Sequence, residues 1–139
     1  MDLLEDLSCG LYVRTSENQD LIRAKIAKAF GGKIAGRTVL DQYLKIYFTK
    51  NEDFSPEQMD EDGGFVYYPY RAEVQPSYSL RDEVTSDTQE IFIDLLSRVI
   101  NELRRTAAQV VASCEYDELI AKKTGWNWSK KTPVHPVVD

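Results

Sequence analysis

In the segment 86–114, apolar residues first recur at the spacing of an α-helix, and this periodicity then ends in a short apolar run. The residues that share one helical face are Phe92, Leu95, Leu96, Val99, Ile100 and Leu103. Two pairs of residues fit a capping box at the helix start, Ser86 with Gln89 and Asp87 with Glu90. Residues 109–114 (QVVASC) are short, apolar and partly β-branched, which is typical of a buried strand. We therefore predict a helix that gives way to a strand near Ala107, with one continuous helix to about Leu119 as the alternative.

Alternating apolar and polar residues predict three further strands, at residues 11–15, 44–49 and 65–74. Between the first two, apolar residues at helical spacing predict a helix that Ser16 or Asn18 caps and that Gly31 ends. Pro69 has no N–H group, which favours an edge position or a bulge in the third of these strands.

The predicted order is strand, helix, strand, strand, helix, strand, which is the split βαβ or ferredoxin-like arrangement of the α+β class. Two right-handed crossovers place both helices on one face of a four-stranded antiparallel sheet. We predict one domain over residues 1–139, with its core in about residues 10–116 and a short helix and tail in residues 117–139. The other sheet face is then open or covered by the tail, where Trp126 and Trp128 are the candidate covering residues.

Composition and charge narrow the class of partner. The chain has 139 residues, 42% of them hydrophobic, which is enough for one domain with one core. No apolar run approaches the ~20 residues of a membrane span. The start MDLLEDLSCG lacks the basic residues of a secretory signal, so we expect a cytoplasmic protein with no membrane partner. The net charge of −6, from 17 basic and 23 acidic residues, is compatible with a basic protein partner.

The sequence offers few candidates for catalysis or metal binding. Its one histidine, His135, lies in a proline-flanked tail without a matching nucleophile pattern. Cys9 and Cys114 lack metal-like spacing, and a reducing compartment disfavours a disulfide, so a buried apolar role is predicted for Cys114. Walker, Rossmann and zinc patterns are missing from the sequence. We therefore predict a protein that is not an enzyme and that binds no cofactor and no metal.

The connection at residues 51–64 is acidic, with no basic residue between its first and last acid. Its acids are Glu52, Asp53, Glu57, Asp60, Glu61 and Asp62. This composition is typical of a solvated hairpin loop, and it also fits a docking surface that steers a cationic protein. A calcium site is a weaker interpretation, because Asp60, Asp62 and Gly63 match only a fragment of an EF-hand loop.

The eight tyrosines all lie outside the two main predicted helices. Strands favour aromatic residues, and tyrosine is also enriched in the centres of protein interfaces. By alternation, Tyr12, Tyr47 and Tyr67 lie on the open sheet face, beside Arg14, Lys45 and Arg71. The residues predicted to contact a partner are Glu52, Asp53, Asp60, Glu61, Asp62, Tyr12, Tyr47 and Tyr67.

Two short segments resemble the RNA recognition motif, which has the predicted topology. Residues 11–14 (LYVR) are similar to the start of that family's first-strand signature. Residues 64–68 (GFVYY) are similar to the second half of its third-strand signature, with Phe65 at a stacking position. Glu61 and Asp62 stand where the family has a basic residue and a glycine, and acids repel phosphate. Binding of single-stranded RNA is therefore the alternative function, and it is disfavoured by charge.

In overall character the chain resembles the small cytoplasmic immunity proteins of bacterial toxin systems. The shared features are one acidic domain, an acidic loop, aromatic strands, no catalytic set and the ending VVASCEYDELI. The resemblance implies a protein that binds a cognate toxin and blocks its active site without chemistry. It also implies that Asp53, Asp60, Glu61, Asp62 and Tyr67 contact the toxin. The identity of the partner and the oligomeric state stay open.

Overall fold

The computed structural model describes residues 3–61, 63–77, 84–105 and 109–124, and within these ranges it contains six strands and three α-helices. In chain order they are β1 (Cys9–Arg14), α1 (Gln19–Phe30), β2 (Lys33–Ala35), β3 (Thr38–Leu40), β4 (Leu44–Lys50), β5 (Tyr70–Pro76), α2 (Ser86–Arg105), β6 (Gln109–Ser113) and α3 (Asp117–Thr124). A short 3-10 helix, Gly64–Tyr67, precedes β5. None of the helices in these ranges has both the length and the apolar character that a membrane crossing requires.

The strands form one antiparallel sheet in the order β2-β3-β4-β5-β1-β6. Alternate residues of the strands, such as Leu11, Phe48 and Val74, are buried together with apolar residues of both long helices, among them Ile26 and Phe92. The protein is therefore of the predicted α+β class, with its main core between one sheet face and the helices. The prediction of four strands was wrong, because the described sheet has six.

The sequence patterns located the two long helices, and they explain both ends of α1 and the C-terminal end of α2. The side chain of Asn18 caps α1 by accepting a hydrogen bond from the Leu21 N–H at 2.9 Å, and Gly31 ends it in the left-handed conformation at φ 74°. The predicted change from helix to strand is confirmed, since α2 ends at Arg105 and β6 begins at Gln109. The alternative of one continuous helix is wrong.

The cap of α2 lies one residue before the predicted pairs. Thr85 and Thr88 form a reciprocal box, in which each backbone N–H donates to the other hydroxyl at 2.8 and 3.2 Å. Gln89, which was predicted to belong to the cap, is instead fully buried, and its Oε1 accepts the Leu4 N–H at 2.8 Å. The buried amide thus attaches the N-terminal segment to α2.

Two parts of the sheet differ from the prediction. The hairpin of β2 and β3, which turns at Gly36 with φ 62°, was missed. The predicted strand at residues 65–74 is divided into the 3-10 helix and β5, with Pro69 between them. Phe65 and Tyr68 are buried three residues apart, and this is the period of a 3-10 helix and not of a strand.

Candidate protein-binding surface

The sheet face turned away from the helices carries polar and aromatic residues in register across neighbouring strands. Tyr12 of β1 lies opposite Arg71 of β5, which in turn lies opposite Thr49 of β4. One row further along, Tyr47 lies opposite Glu73. The predicted placement of Tyr12 and Tyr47 on this face agrees with the observed register.

Residues 51–61 and 63–69, here called the covering loop, lie over the β1 and β6 side of this face. Phe65 and Tyr68 from the loop are buried against Val111 of β6, which forms a second apolar cluster. The rings of Phe65 and Tyr12 meet edge to face with centroids 5.3 Å apart, and the Arg71 guanidinium lies 5.6 Å from the centre of the Tyr12 ring. Tyr12 is therefore half-buried under the loop, whereas Tyr47 is 40% exposed.

Asn51 fixes the shape of the covering loop from a buried position. Its side-chain amide donates to the carbonyls of Val66 and Tyr68 at 2.8 and 2.9 Å. Its side-chain oxygen accepts the Asp53 N–H at 3.1 Å, and its backbone N–H donates to the Pro69 carbonyl at 2.9 Å. One residue thus joins the start of the loop to its end, so that the acids at residues 52 and 53 have a defined position.

Glycines permit the close packing inside the loop. Gly63 has φ 74°, which a residue with a side chain rarely adopts. A Cβ atom on Gly64 would collide with the backbone carbonyl oxygens of Gln58 and Met59. The Gly64 N–H also donates to the Glu61 carbonyl at 2.8 Å. The backbone at Gly64 thus packs closely against the preceding turn of the same loop.

The acids of the loop divide into one that is paired and several that face solvent. Asp60 contacts Arg14 at 2.6 Å. Glu52, Asp53, Glu57 and Glu61 are exposed and make no ion pair with any residue in the described ranges. Asp62 lies outside the described residues. The loop therefore presents a group of carboxylates that form no direct ion pair with a basic side chain of the described chain.

A groove runs along the open face beside this acidic rim. A cavity of about 640 Å³ is lined by Glu52, Asp53, Arg37, Lys50 and Tyr47, among other residues. It adjoins a second cavity of about 300 Å³, with which it shares Tyr47 and Glu73. Glu73 is paired with Arg71, but Arg37 and Lys50 have no ion pair within the described chain. The groove thus combines an exposed aromatic ring with charges of both signs.

Phe54 is a candidate contact residue that the sequence analysis missed. It follows the acidic pair Glu52 and Asp53 directly, and it is 46% exposed. Its backbone N–H donates to the Asn51 carbonyl at 3.1 Å, so the exposed ring is attached to the fixed end of the loop. An aromatic side chain inside an acidic run was the available signal, but a sequence does not show whether such a ring is buried.

The other predicted contact residues have less accessible positions. Tyr67 is half-buried in the 3-10 helix and does not lie on a strand of the open face. Phe65 is 6% exposed and packs against Tyr12, so its ring is not available as a stacking platform for a base. The segment 64–68, on which the resemblance to the RNA recognition motif depends, is helical where that family has a strand.

Two further properties of the described residues concern metal binding and the pKa values near the covering loop. In the described part of the chain, no cluster of three or more His, Cys, Asp or Glu side chains is arranged to hold a metal ion. Burial raises the pKa of Tyr68 under the loop, and the positive charge of Arg14 partly opposes this shift.

The predicted residues His135, Trp126 and Trp128 lie outside the described residues. Comparison with protein-family models, curated proteins and solved structures finds no match to this chain.

Proposed function

We propose that this chain is a non-enzymatic domain that binds a basic protein at the covering loop and the adjoining groove. The observation that supports the proposal best is a group of exposed carboxylates that make no ion pair with the described part of the chain and lie on a loop that Asn51 fixes. These are Glu52, Asp53, Glu57 and Glu61. Fixed charges of one sign speed the approach of an oppositely charged partner, and the overall charge of −6 acts in the same direction.

Exposed aromatic rings beside these acids supply the apolar contact that binding needs. Phe54 is 46% exposed and Tyr47 is 40% exposed, and both border the acidic part of the surface. Aromatic residues surrounded by polar groups are the usual centres of binding energy in protein interfaces. We infer that the partner inserts apolar groups near these rings and places basic side chains against the rim.

Arg37 and Lys50 place positive charge in the groove, and this charge sets a second requirement for the partner. Neither side chain has an ion pair within the described chain, so a partner that brings an acidic or carbonyl group to them gains affinity. A partner whose surface is uniformly basic would be repelled by Arg37 and Lys50. We infer that the mixed charges select among basic partners.

We further propose a bacterial immunity role, in which the bound protein is a toxin whose basic active-site region this surface blocks. We also interpret the fold as a ferredoxin-like core. The four strands of this core lie in the order β4-β5-β1-β6, and the β2–β3 hairpin extends the core beyond β4. The anchored acidic surface supports the immunity role.

The test compares two charge variants of the full chain. In the surface variant, Glu52, Asp53, Glu57 and Glu61 are changed to Gln, Asn, Gln and Gln. In the control variant, four exposed acids elsewhere, Glu5, Glu90, Glu115 and Glu118, are changed to Gln. Both variants lose four negative charges, so an effect of net charge alone would be the same in both.

Crosslinked partners are captured from the native host with the wild type and with both variants, and the association rate of the purified partner is measured at several salt concentrations. We expect a basic partner that the wild type and the control variant retain. The surface variant should associate at least about 10-fold more slowly and with a weaker salt dependence. Equal association rates for the two variants would exclude the covering loop as the binding surface.

The aromatic contribution is tested separately with Phe54→Ala. The expected loss of affinity is about 2 kcal/mol, which corresponds to a ~30-fold higher Kd. The matched control is Ile34→Ala, which removes a similarly exposed apolar side chain (51%) from the edge strand β2.

The immunity role is tested by co-expression of this chain with the toxin that a neighbouring gene encodes. The wild type should restore growth of the host, and the surface variant should not.

A further inference from the structure

The two cysteines of the chain meet at one end of the sheet. Strands β1 and β6 are paired as far as Gly10 opposite Ser113, and Cys9 and Cys114 are the next residue of each chain segment beyond this last pair. A hydrogen bond joins the two cysteine side chains. Cys9 is 1% exposed in the main core, and the partly buried Cys114 packs against the same core. Both cysteines are thiols in the structure.

The backbone on both sides of the cysteines is fixed. The hydroxyl of Tyr116, two residues after Cys114, donates to the carbonyl of Leu7, two residues before Cys9, at 2.6 Å. The Tyr116 ring is buried, so this hydrogen bond is shielded from water. With the strand register on one side and this bond on the other, the two cysteine positions are held together across the strands.

We propose that Cys9 and Cys114 are a dithiol oxidation site that forms a reversible intramolecular disulfide. Directly opposed residues of antiparallel strands have Cα atoms about 4.5–5.5 Å apart. Disulfides span Cα distances of about 4.4–6.8 Å, so the bond requires no large movement of the backbone. Neither sequence spacing nor composition predicts this site, because the two residues are distant in the chain and adjacent only in the fold.

The two thiols have different roles in the oxidation by a peroxide. The side-chain hydrogen bond with Cys114, together with burial, raises the pKa of Cys9 well above its usual value, so Cys9 is a poor first nucleophile. The more exposed Cys114 attacks the peroxide, takes one oxygen as a sulfenic acid and releases water or an alcohol. The Cys9 sulfur then attacks the Cys114 sulfur, the S–S bond forms, and the hydroxyl leaves as water with the Cys9 proton. Two electrons pass from the dithiol to the peroxide.

The disulfide would close most of the described chain into one covalent loop, from β1 to the residue after β6. A crosslink over such a long loop reduces the entropy of the unfolded chain, which stabilises the folded state. The oxidised protein should therefore melt about 10 °C higher than the reduced protein. The covering loop lies on the opposite sheet face, so this site is independent of the proposed binding surface.

The experiment treats the reduced full-length chain with hydrogen peroxide and follows its mass, its melting temperature and its peptide map without reductant. The wild type should lose about 2 Da as a monomer, yield one crosslinked peptide pair containing Cys9 and Cys114, and show the higher Tm. Dithiothreitol should restore the original mass and Tm. Cys114→Ala and Cys9→Ala should each abolish the mass loss and the shift in Tm.

If Cys9→Ala does not fold, because Cys9 is a core residue, the partly exposed Cys114→Ala suffices as the control. Three outcomes for the wild type would overturn the proposal. They are an unchanged mass, a gain of about 16 or 32 Da without a crosslink, and a disulfide that joins only separate chains.

Discussion

The carboxylate of Asp60 lies 2.6 Å from a guanidinium nitrogen of Arg14, so an ion pair connects the covering loop to the last residue of strand β1. Asp60 was predicted to contact a partner, yet it already has one within the chain. The neighbouring Glu61 is exposed and has no ion pair in the described residues. Adjacent acids of one loop thus have different roles, one in positioning the loop and one in presenting charge.

Asp60→Asn should lower the free energy of unfolding by less than about 1 kcal/mol, because the ion pair is open to solvent. The difference should disappear near about 1 M salt, where screening is strong. Glu61→Gln is the control, and its unfolding curve in urea should match that of the wild type at every salt concentration. A loss of several kcal/mol in Asp60→Asn would mean that the ion pair has a larger structural role than its exposure indicates.

Asn51→Ala should lower the free energy of unfolding by about 1–3 kcal/mol. The substitution leaves the carbonyls of Val66 and Tyr68 without the amide that now donates to them. Asn101→Ala removes an exposed asparagine from α2 and should change the stability by less than about 0.5 kcal/mol. Urea unfolding of the two variants measures the difference, and equal stabilities would show that water replaces the Asn51 amide without cost.

The sequence predicted best those elements whose buried residues recur at a regular spacing, over several turns of a helix or several alternations along a strand. Helix α2 has eight buried residues on one stripe, and β4 alternates buried and partly exposed positions. The hairpin strands β2 and β3 have three residues each, and all three residues of β2 are exposed. Such short strands contain no period, so only the pairing of β2 with β3 and of β3 with β4 in three dimensions reveals them.

The candidate surface could be predicted in its composition but not in its arrangement. The acidic run is visible in the sequence, and so is the alternation that places Tyr12 and Tyr47 on one face. The sequence does not show that the run folds back over β1, buries Phe65 against Tyr12 and leaves Phe54 exposed. These differences depend on the tertiary contacts of the covering loop, for which local spacing gives no signal.

Gly64→Ala should loosen the covering loop and leave the sheet intact. The added Cβ collides with backbone oxygens of Gln58 and Met59, which cannot rotate away as a side chain does. Hydrogen exchange should then become faster for the amides of residues 51–61 and 63–69 and stay unchanged in β1 and β4. Gly10→Ala is the control, because its Cβ would meet only ordinary contacts, the nearest at 3.8 Å. Unchanged exchange in the Gly64 variant would show that the loop tolerates a shift at this point.

Stability under reducing conditions should decrease as the pH rises above about 9, because buried groups hold their protons longer in the folded state. The hydrogen bond with Cys114 and burial raise the pKa of Cys9 above its usual value of 9.0, and burial raises that of Tyr116 above 10.0. Between the unfolded and folded pKa values, the unfolded chain releases these protons and the folded chain does not. The unfolded state is then favoured, by up to about 1.4 kcal/mol per pH unit for each group.

Urea unfolding from pH 8 to pH 11 measures this dependence, and the stability should be nearly constant below the usual pKa of Cys9. Cys9→Ala should remove the decrease that begins near pH 9.0, and Tyr116→Phe should remove part of the decrease above pH 10.0. Tyr116→Phe should also be less stable at every pH, because the Leu7 carbonyl loses its donor. A stability that stays constant or increases up to pH 11 would contradict the buried, protonated state of both groups.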